Sequence, residues 1–154
     1  MSGIPYKLDG LDGDNEVRAK FSSFYASEAL VKGDAVAIDT ATSTNGLGNH
    51  VLKADTGDVG NVVVLGVAAE AIASGDVGQI QVGGVCTFAK LLDTSDVLGN
   101  TVAASGTAGS LTLAEDQDDG GGNAVYLVPC GIILAEGTAN TADSTVYLFN
   151  THNI

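Results

Sequence analysis

Residues 65–86 read LGVAAEAIASGDVGQIQVGGVC, a run of small and β-branched side chains with one turn in the middle. Gly66 and the four clustered β-branched residues around Val64 disfavour a helix, and the alternation in QIQV after the turn is typical of a strand. The turn itself is Ser74-Gly75-Asp76. The stretch therefore predicts a core β-hairpin, in which small side chains let the strands pack closely and the acids mark the solvent-facing ends.

The same hairpin plan recurs near the end of the chain, in CGIILAEGTANTADSTVYLF at residues 130–149. Each copy has a glycine, an apolar run ending near Glu70 or Glu136, a small-residue turn carrying Asp76 or Asp143, and an alternating strand. Either a duplication or a chance likeness between two β-hairpins explains this echo, and the residues leave both open. It lacks the fixed period of a solenoid repeat.

Further strand patterns flank these hairpins, and turn residues separate them every 8–15 residues or so. We predict an all-β fold: a compact β-barrel or sandwich of about eight short antiparallel strands with an extended N-terminal arm. The arm is residues 1–25, and residues 26–154 form a single β-domain. Within the arm, the pattern around Phe21 and Phe24 leaves helix and strand undecided. The predicted strands include GDAVAID (33–39), VVVLGVAAEAIA (62–73), QIQVGGVCTFAKLL (79–92), AVYLVPCGIILAEG (124–137) and STVYLFN (144–150), and TVAASGTAGSLTLA (101–114) is predicted to be a short hairpin.

The net charge of −13 is unevenly distributed. Five of the six cations precede residue 55, and the remaining hundred residues carry Lys90 alone against twelve acids. Nucleic-acid binding needs clustered Lys and Arg, so we expect no direct nucleic-acid partner. No apolar run has the length of a membrane span, and no signal peptide pattern begins the chain. We expect no membrane partner and synthesis in a cytosol-like compartment, and a high negative charge also suits an abundant soluble protein.

Reactive chemistry is sparse in this sequence. His50 and His152 stand where solvated histidines usually stand, and neither Cys86 nor Cys130 lies in a nucleophile or metal motif. We interpret the cysteines as small buried hydrophobes. The acidic loop EDQDDGGGN (115–123) offers oxygen ligands for calcium but lacks the spacing of a calcium loop, so a solvated hairpin tip is the simpler interpretation. We predict a structural or binding module with no cofactor, and not an enzyme.

Four segments carry a family resemblance: LVKGDAVAID, VLGVAAEAIASGDVGQIQVGGVC, CGIILAEG and STVYLF. In this order they resemble the small capsid decoration, or cement, proteins of tailed bacteriophages. The resemblance covers roughly residues 30–90 and, more loosely, 124–150. It implies a β-rich protein, commonly a homotrimer, that binds the major capsid protein on the virion exterior and stabilises the head by bridging capsid subunits.

Under this resemblance the arm is the expected capsid-binding element. An extended arm can add a strand to an exposed sheet edge of the capsid. Aromatic side chains would anchor it and cations would contact an acidic capsid rim. The candidate capsid-binding residues are Lys7, Arg18, Lys20, Phe21, Phe24 and Tyr25. For the three aromatics, a lid on the protein's own core is the alternative.

Other kinds of structural protein also fit the composition. A tail or head fibre component is one alternative, and a major capsid or tail-tube subunit is another. A cell-surface β-module would account for the Thr, Gly and acid content, but it predicts a secretion signal, which the sequence lacks.

Overall fold

A computed structural model describes residues 19–40, 48–57, 62–95, 97–114, 117–118, 124–125 and 127–149. These residues form strands and no helix, so the predicted all-β fold is confirmed. Nine strands make one sheet in the order β1-β3-β2-β4-β5-β11-β10-β6-β7, and β8 pairs with β9. The strands are β1 Lys20–Ala26, β2 Ala35–Ile38, β3 His50–Lys53, β4 Gly66–Ala68, β5 Val77–Lys90, β6 Thr101–Ala104, β7 Leu111–Leu113, β8 Gln117–Asp118, β9 Ala124–Val125, β10 Gly131–Ala135 and β11 Ala142–Leu148.

The first five strands close into a barrel. Strand β1 is antiparallel to β5 on one side and parallel to β3 on the other, which joins the two ends of the row β1-β3-β2-β4-β5. The barrel is therefore mixed, where antiparallel pairing alone was predicted. Its interior holds one apolar cluster: Phe24, Ala26, Leu30, Val36, Val51, Ala68, Ile72, Ile80 and Val82. We call residues 20–83 unit 1.

Strand β5 belongs to both halves of the molecule. It is 14 residues long, and its first half pairs with β1 and β4 whereas its second half pairs with β11. Gly83 and Gly84 stand at the change of partner, and Gly84 has a φ of 81°. Glycine adopts this conformation without the steric penalty of a side chain, so the strand can bend here and continue.

The second half of β5 begins unit 2, residues 84–149. Its strands run β5-β11-β10-β6-β7, and a parallel bridge between Leu91 and Leu111 connects the two ends of that row. The predicted hairpin at 101–114 is present as β6 and β7. The long strand predicted over 62–73 is shorter, because only Gly66–Ala68 pairs as β4 and Val63 is exposed.

The two units repeat one hydrogen-bond plan about 65 residues apart, so the echo between the hairpins extends to the whole architecture. Strand β1 of unit 1 corresponds to the second half of β5 in unit 2, and β2, β3, β4 and β5 correspond to β6, β7, β10 and β11. In both units a glycine with positive φ precedes β2 or its counterpart β6. Three backbone hydrogen bonds of unit 1 have equivalents of the same length in unit 2. Gly33 N–H to Ala68 O matches Gly99 N–H to Ile133 O (both 2.9 Å), and Ala54 N–H to Ala35 O matches Ala114 N–H to Thr101 O (both 2.9 Å). Gly75 N–H to Ala26 O matches Asn140 N–H to Leu91 O (both 2.7 Å).

Unit 1 packs against unit 2 through the outer surface of its own barrel. Ala35, Ala37 and Val67 point out of the unit 1 barrel and are fully buried in the same cluster as the unit 2 interior. Asp34, at the start of β2, also lies in this contact. Its carboxylate accepts hydrogen bonds from the Val31 N–H at 2.9 Å and from the Lys90 ammonium at 2.6 Å. An apolar contact and a shielded ion pair thus join the units.

Candidate docking surface

Strand β1 divides the predicted capsid-binding residues between two environments. Side chains alternate along a strand, so Phe21 and Tyr25 point outward, with 49% and 46% of their surface exposed. Phe24 points inward, is 7% exposed and packs in the unit 1 core. For this residue the alternative interpretation, a lid on the protein's own core, agrees with the structure. Lys20 is exposed at the beginning of the strand.

Part of the predicted arm is thus a strand of the barrel. Residues 20–25 pair with β5 from Val77 to Gly83, and the strand continues across the predicted domain boundary to Ala26, which pairs with Val51 of β3. Lys7 and Arg18 lie outside the described residues, as does most of the predicted arm.

Residues of neighbouring strands extend the outward side of β1. The Tyr25 ring stacks on the His50 ring of β3, with centroids 5.0 Å apart and planes 16° apart. Val77 of β5 is the register partner of Tyr25 and is 52% exposed. Ser23 lies between the two aromatics and receives a hydrogen bond from the Gln79 amide. We call Phe21, Ser23, Tyr25, His50 and Val77 the aromatic face.

Sequence reasoning found Phe21 and Tyr25 but not the rest of this face. Val77 looked like part of a core hairpin, and His50 belonged to a loop rich in Gly and Asn. The pairing of β1 with both β3 and β5 brings them together, and that pairing leaves no local pattern. The Nδ1 atom of His50 is enclosed and has no hydrogen-bond partner in the described part of the chain.

A second exposed apolar surface lies on unit 2. Leu98, in the loop before β6, is 60% exposed, which is the largest value among the exposed large apolar side chains of the described residues. Leu134 and Tyr147 are also exposed, and Tyr147 is the register partner of Ile132 on the adjacent strand. The sequence did not single out these residues, because Leu134 and Tyr147 lie in segments that resemble core strands and Leu98 lies in LDTSDVLGN (92–100), which is rich in turn residues.

The two carboxylates at corresponding points of the hairpins, Glu70 and Glu136, both accept backbone hydrogen bonds. Glu70 accepts a hydrogen bond from the Gln79 N–H at 3.0 Å, and Glu136 accepts one from the Val97 N–H at 2.6 Å. The described residues contain no group of three His, Cys, Asp or Glu side chains placed to hold a metal ion. The tip of the acidic loop, residues 119–123, lies outside the described residues, between the paired strands β8 and β9. No helix within the described ranges has the length and apolar character to cross a membrane.

Both cysteines are free and buried, as the sequence suggested. Burial raises the thiol pKa of Cys86 and of Cys130 from 9.0 to about 12, because the thiolate would lose its hydration. Neither thiol has the exposed, electropositive environment of a reactive cysteine.

We expect both thiols to resist a water-soluble disulfide reagent at pH 8 in the native protein, and to react in denaturant as fast as a free cysteine. Reaction requires the thiolate and physical access, and burial removes both. Absorbance of the released thiol reports the rate. Rapid native labelling of either cysteine would contradict the packing described here.

The fold and these surfaces define an all-β protein of two fused barrel-like units, with exposed apolar faces on both. No family model and no curated protein matches the sequence. Among solved structures, the chain is similar to the N-terminal base of the head fibre protein gp8.5 of bacteriophage phi29, with a TM-score of 0.50 and 13% sequence identity. The match covers 86% of this chain and 95% of that chain. At this identity, the likeness is one of fold.

Proposed function

We propose that this protein is a structural component of a bacteriophage head, bound to the capsid exterior as the base of a head fibre is. The observation that carries the proposal is the fold likeness to the phi29 head fibre base, which extends over nearly the whole of that chain. The sequence resemblance to capsid decoration proteins supports the same location independently. Between the two, the fold favours a fibre-base protein over a dedicated cement protein.

In this proposal the protein acts mechanically. Self-association into a trimer would give each particle several contacts with the capsid, and linked contacts bind far more tightly than one alone. A trimer that spans neighbouring capsid subunits also bridges and stabilises them. The major capsid protein is therefore the proposed partner, and the chain performs no chemical step.

The aromatic face is the first proposed contact surface. Phe21 and Tyr25 are held on a paired strand, so little conformational entropy is lost when a partner covers them. Lys20 lies beside Phe21 at the start of the strand and is exposed. An exposed cation next to aromatic anchors suits a capsid surface that carries acidic residues.

Residues 1–18 are the second proposed contact, with Lys7 and Arg18 as cations toward the capsid rim. They precede β1, so their removal leaves every described strand in the chain. Removal of residues 1–25 would take away most of β1 and open the barrel. Residue 18 is therefore the appropriate limit for a truncation.

The test is cosedimentation with capsids of the phage that encodes the chain, prepared without the protein. We expect the double variant Phe21→Ser/Tyr25→Ser to bind at least tenfold more weakly, because central aromatic anchors contribute on the order of 2 kcal/mol each. The matched control is Val63→Ser/Val128→Ser, which removes two exposed apolar side chains elsewhere. The chain that lacks residues 1–18 forms the third arm.

Thermal unfolding of each variant first establishes that it is folded. Wild-type protein that fails to sediment with such capsids would contradict the proposed function. Equal binding by wild type and Phe21→Ser/Tyr25→Ser would remove the aromatic face from it, and equal binding by the truncated chain would remove the arm.

A further inference from the structure

The contact between the two units has a defined geometry at the loop before β2. The Lys32 ammonium lies 5.2 Å from the centre of the Phe88 ring. The Lys90 N–H donates to the Gly33 carbonyl at 3.3 Å. Gly33 is so close to unit 2 that an added Cβ would collide with Ala142 and the Phe88 carbonyl. This loop of unit 1 is thus pressed onto the outer surface of unit 2.

The internal repeat gives the loop a counterpart on unit 2. Lys32 and Gly33 correspond to Leu98 and Gly99, because the backbone bonds on either side of these pairs match. Gly99 has the same left-handed conformation as Gly33, but nothing lies within 4 Å of the position its Cβ would occupy. Leu98 is likewise uncovered. The docking loop therefore exists twice, and one copy has no partner among the residues that the structure describes.

The surface that receives the loop also exists twice. Phe88, Lys90 and Ala142 of unit 2 correspond to Ser23, Tyr25 and Val77 of unit 1, since Lys90 pairs with Ala142 as Tyr25 pairs with Val77. The unit 1 residues belong to the aromatic face and are exposed. Within the described ranges, each chain thus presents one uncovered loop and one uncovered receiving surface, on different units.

We propose that these two surfaces bind each other between copies of this chain: the Leu98–Gly99 loop of one copy contacts the aromatic face of the next. Such a head-to-tail contact uses two different surfaces, and it generates a closed ring when the rotation between copies closes. The inference deepens the self-association named in the proposed function and does not depend on capsid binding.

The contact between copies differs from the internal one in a specific way. In unit 2, backbone groups of Lys90 and Gly109 bond to the inserted segment of unit 1. In unit 1 the residues that correspond to Lys90 and Gly109 are Tyr25 and Asn49. Their backbone groups bond to each other, because the Tyr25 N–H donates to the Asn49 carbonyl at 2.9 Å. The Leu98–Gly99 loop therefore contacts the aromatic face through side chains and not through backbone hydrogen bonds. The apolar side chain of Leu98 suits an aromatic surface. The contact between copies is accordingly weaker and reversible.

Disulfide trapping in the purified full-length protein tests this inference. The variants Leu98→Cys and Ser23→Cys replace the counterparts of Lys32 and Phe88, which face each other within the chain. A mixture of the two under mild oxidation is expected to give a covalent dimer at least tenfold faster than either variant alone. The native cysteines are buried and leave the background low. Val63→Cys and Val128→Cys, each mixed with Leu98→Cys, are the controls, because both positions are exposed and lie off the aromatic face.

Light scattering on the unmodified protein accompanies the trapping. Trimers together with selective trapping of the mixed pair support the inference. The inference is overturned if the protein is a trimer but the mixed pair is not trapped selectively, or if Leu98→Cys forms a disulfide fastest with itself. In either case the trimer itself is unaffected. A strict monomer that still sediments with capsids overturns this inference alone, whereas a monomer that does not sediment overturns the proposed function as well.

Discussion

Replacement of Lys90 with methionine is expected to lower the free energy of unfolding by about 3–5 kcal/mol. The Asp34 side chain is only 2% exposed, and the Lys90 ammonium 2.6 Å away is its one partner of opposite charge among the described residues. Without that ammonium the carboxylate stays buried with a backbone hydrogen bond from Val31 as compensation. Urea denaturation of wild type and variant measures the difference.

Two controls separate the ion pair from a general loss of lysine. Lys20→Met removes an exposed cation and is expected to change stability by less than about 0.5 kcal/mol. Asp34→Asn/Lys90→Met removes both charges and is expected to recover part of the loss, since no unpaired charge stays buried. A Lys90→Met protein as stable as wild type would show that the two units do not depend on this ion pair.

The second large effect is expected from alanine at the two equivalent glycines, Gly66 and Gly131. A Cβ at Gly66 would overlap the Gln81 carbonyl, and a Cβ at Gly131 would overlap the Tyr147 carbonyl. Both obstacles are backbone atoms of the neighbouring strand, which cannot move as a side chain can. We expect each substitution to cost about 3 kcal/mol or more, at the upper end of overpacking effects.

Gly106→Ala is the matched control, because the nearest atom to its Cβ would be the Thr56 hydroxyl at an ordinary 3.5 Å. Its effect on the midpoint of thermal unfolding is expected to be small. Similar losses for Gly66→Ala and Gly131→Ala follow from the internal repeat, in which the two glycines hold the same position. A Gly131→Ala protein as stable as Gly106→Ala would contradict that equivalence.

Local patterns in the sequence predicted much of the fold. The turn at Ser74-Gly75-Asp76 and the alternation after it place β5, and the echo at 130–149 places β10 and β11. These are hairpin features, in which the residues that pair are neighbours in the chain. The same echo extends to all five strands of each unit, but only the backbone pairing reveals this, because the two units share few identical residues.

Long-range pairing was not predictable in the same way. The parallel contact of β1 with β3 joins Tyr25 to His50, although β2 separates the two strands in the chain, and no local pattern marks that pairing. The run QIQVGGVCTFAKLL (79–92) predicted one returning strand at the position of β5, but no local pattern showed that this strand changes partners at Gly83-Gly84 and belongs to both units. For the aromatics of β1, the inward or outward direction depends on register with β5, so the sequence grouped Phe24 with Phe21 and Tyr25 although it faces the core.

We propose that this protein is mounted on the outside of a phage head. Electron cryo-microscopy of the virion that encodes it can locate the protein, when virions are compared before and after binding of a Fab raised against the purified chain. We expect protruding head density into which the two fused units fit, with additional Fab density only there. Fab density on the tail, or virions that lack the protein altogether, would contradict it.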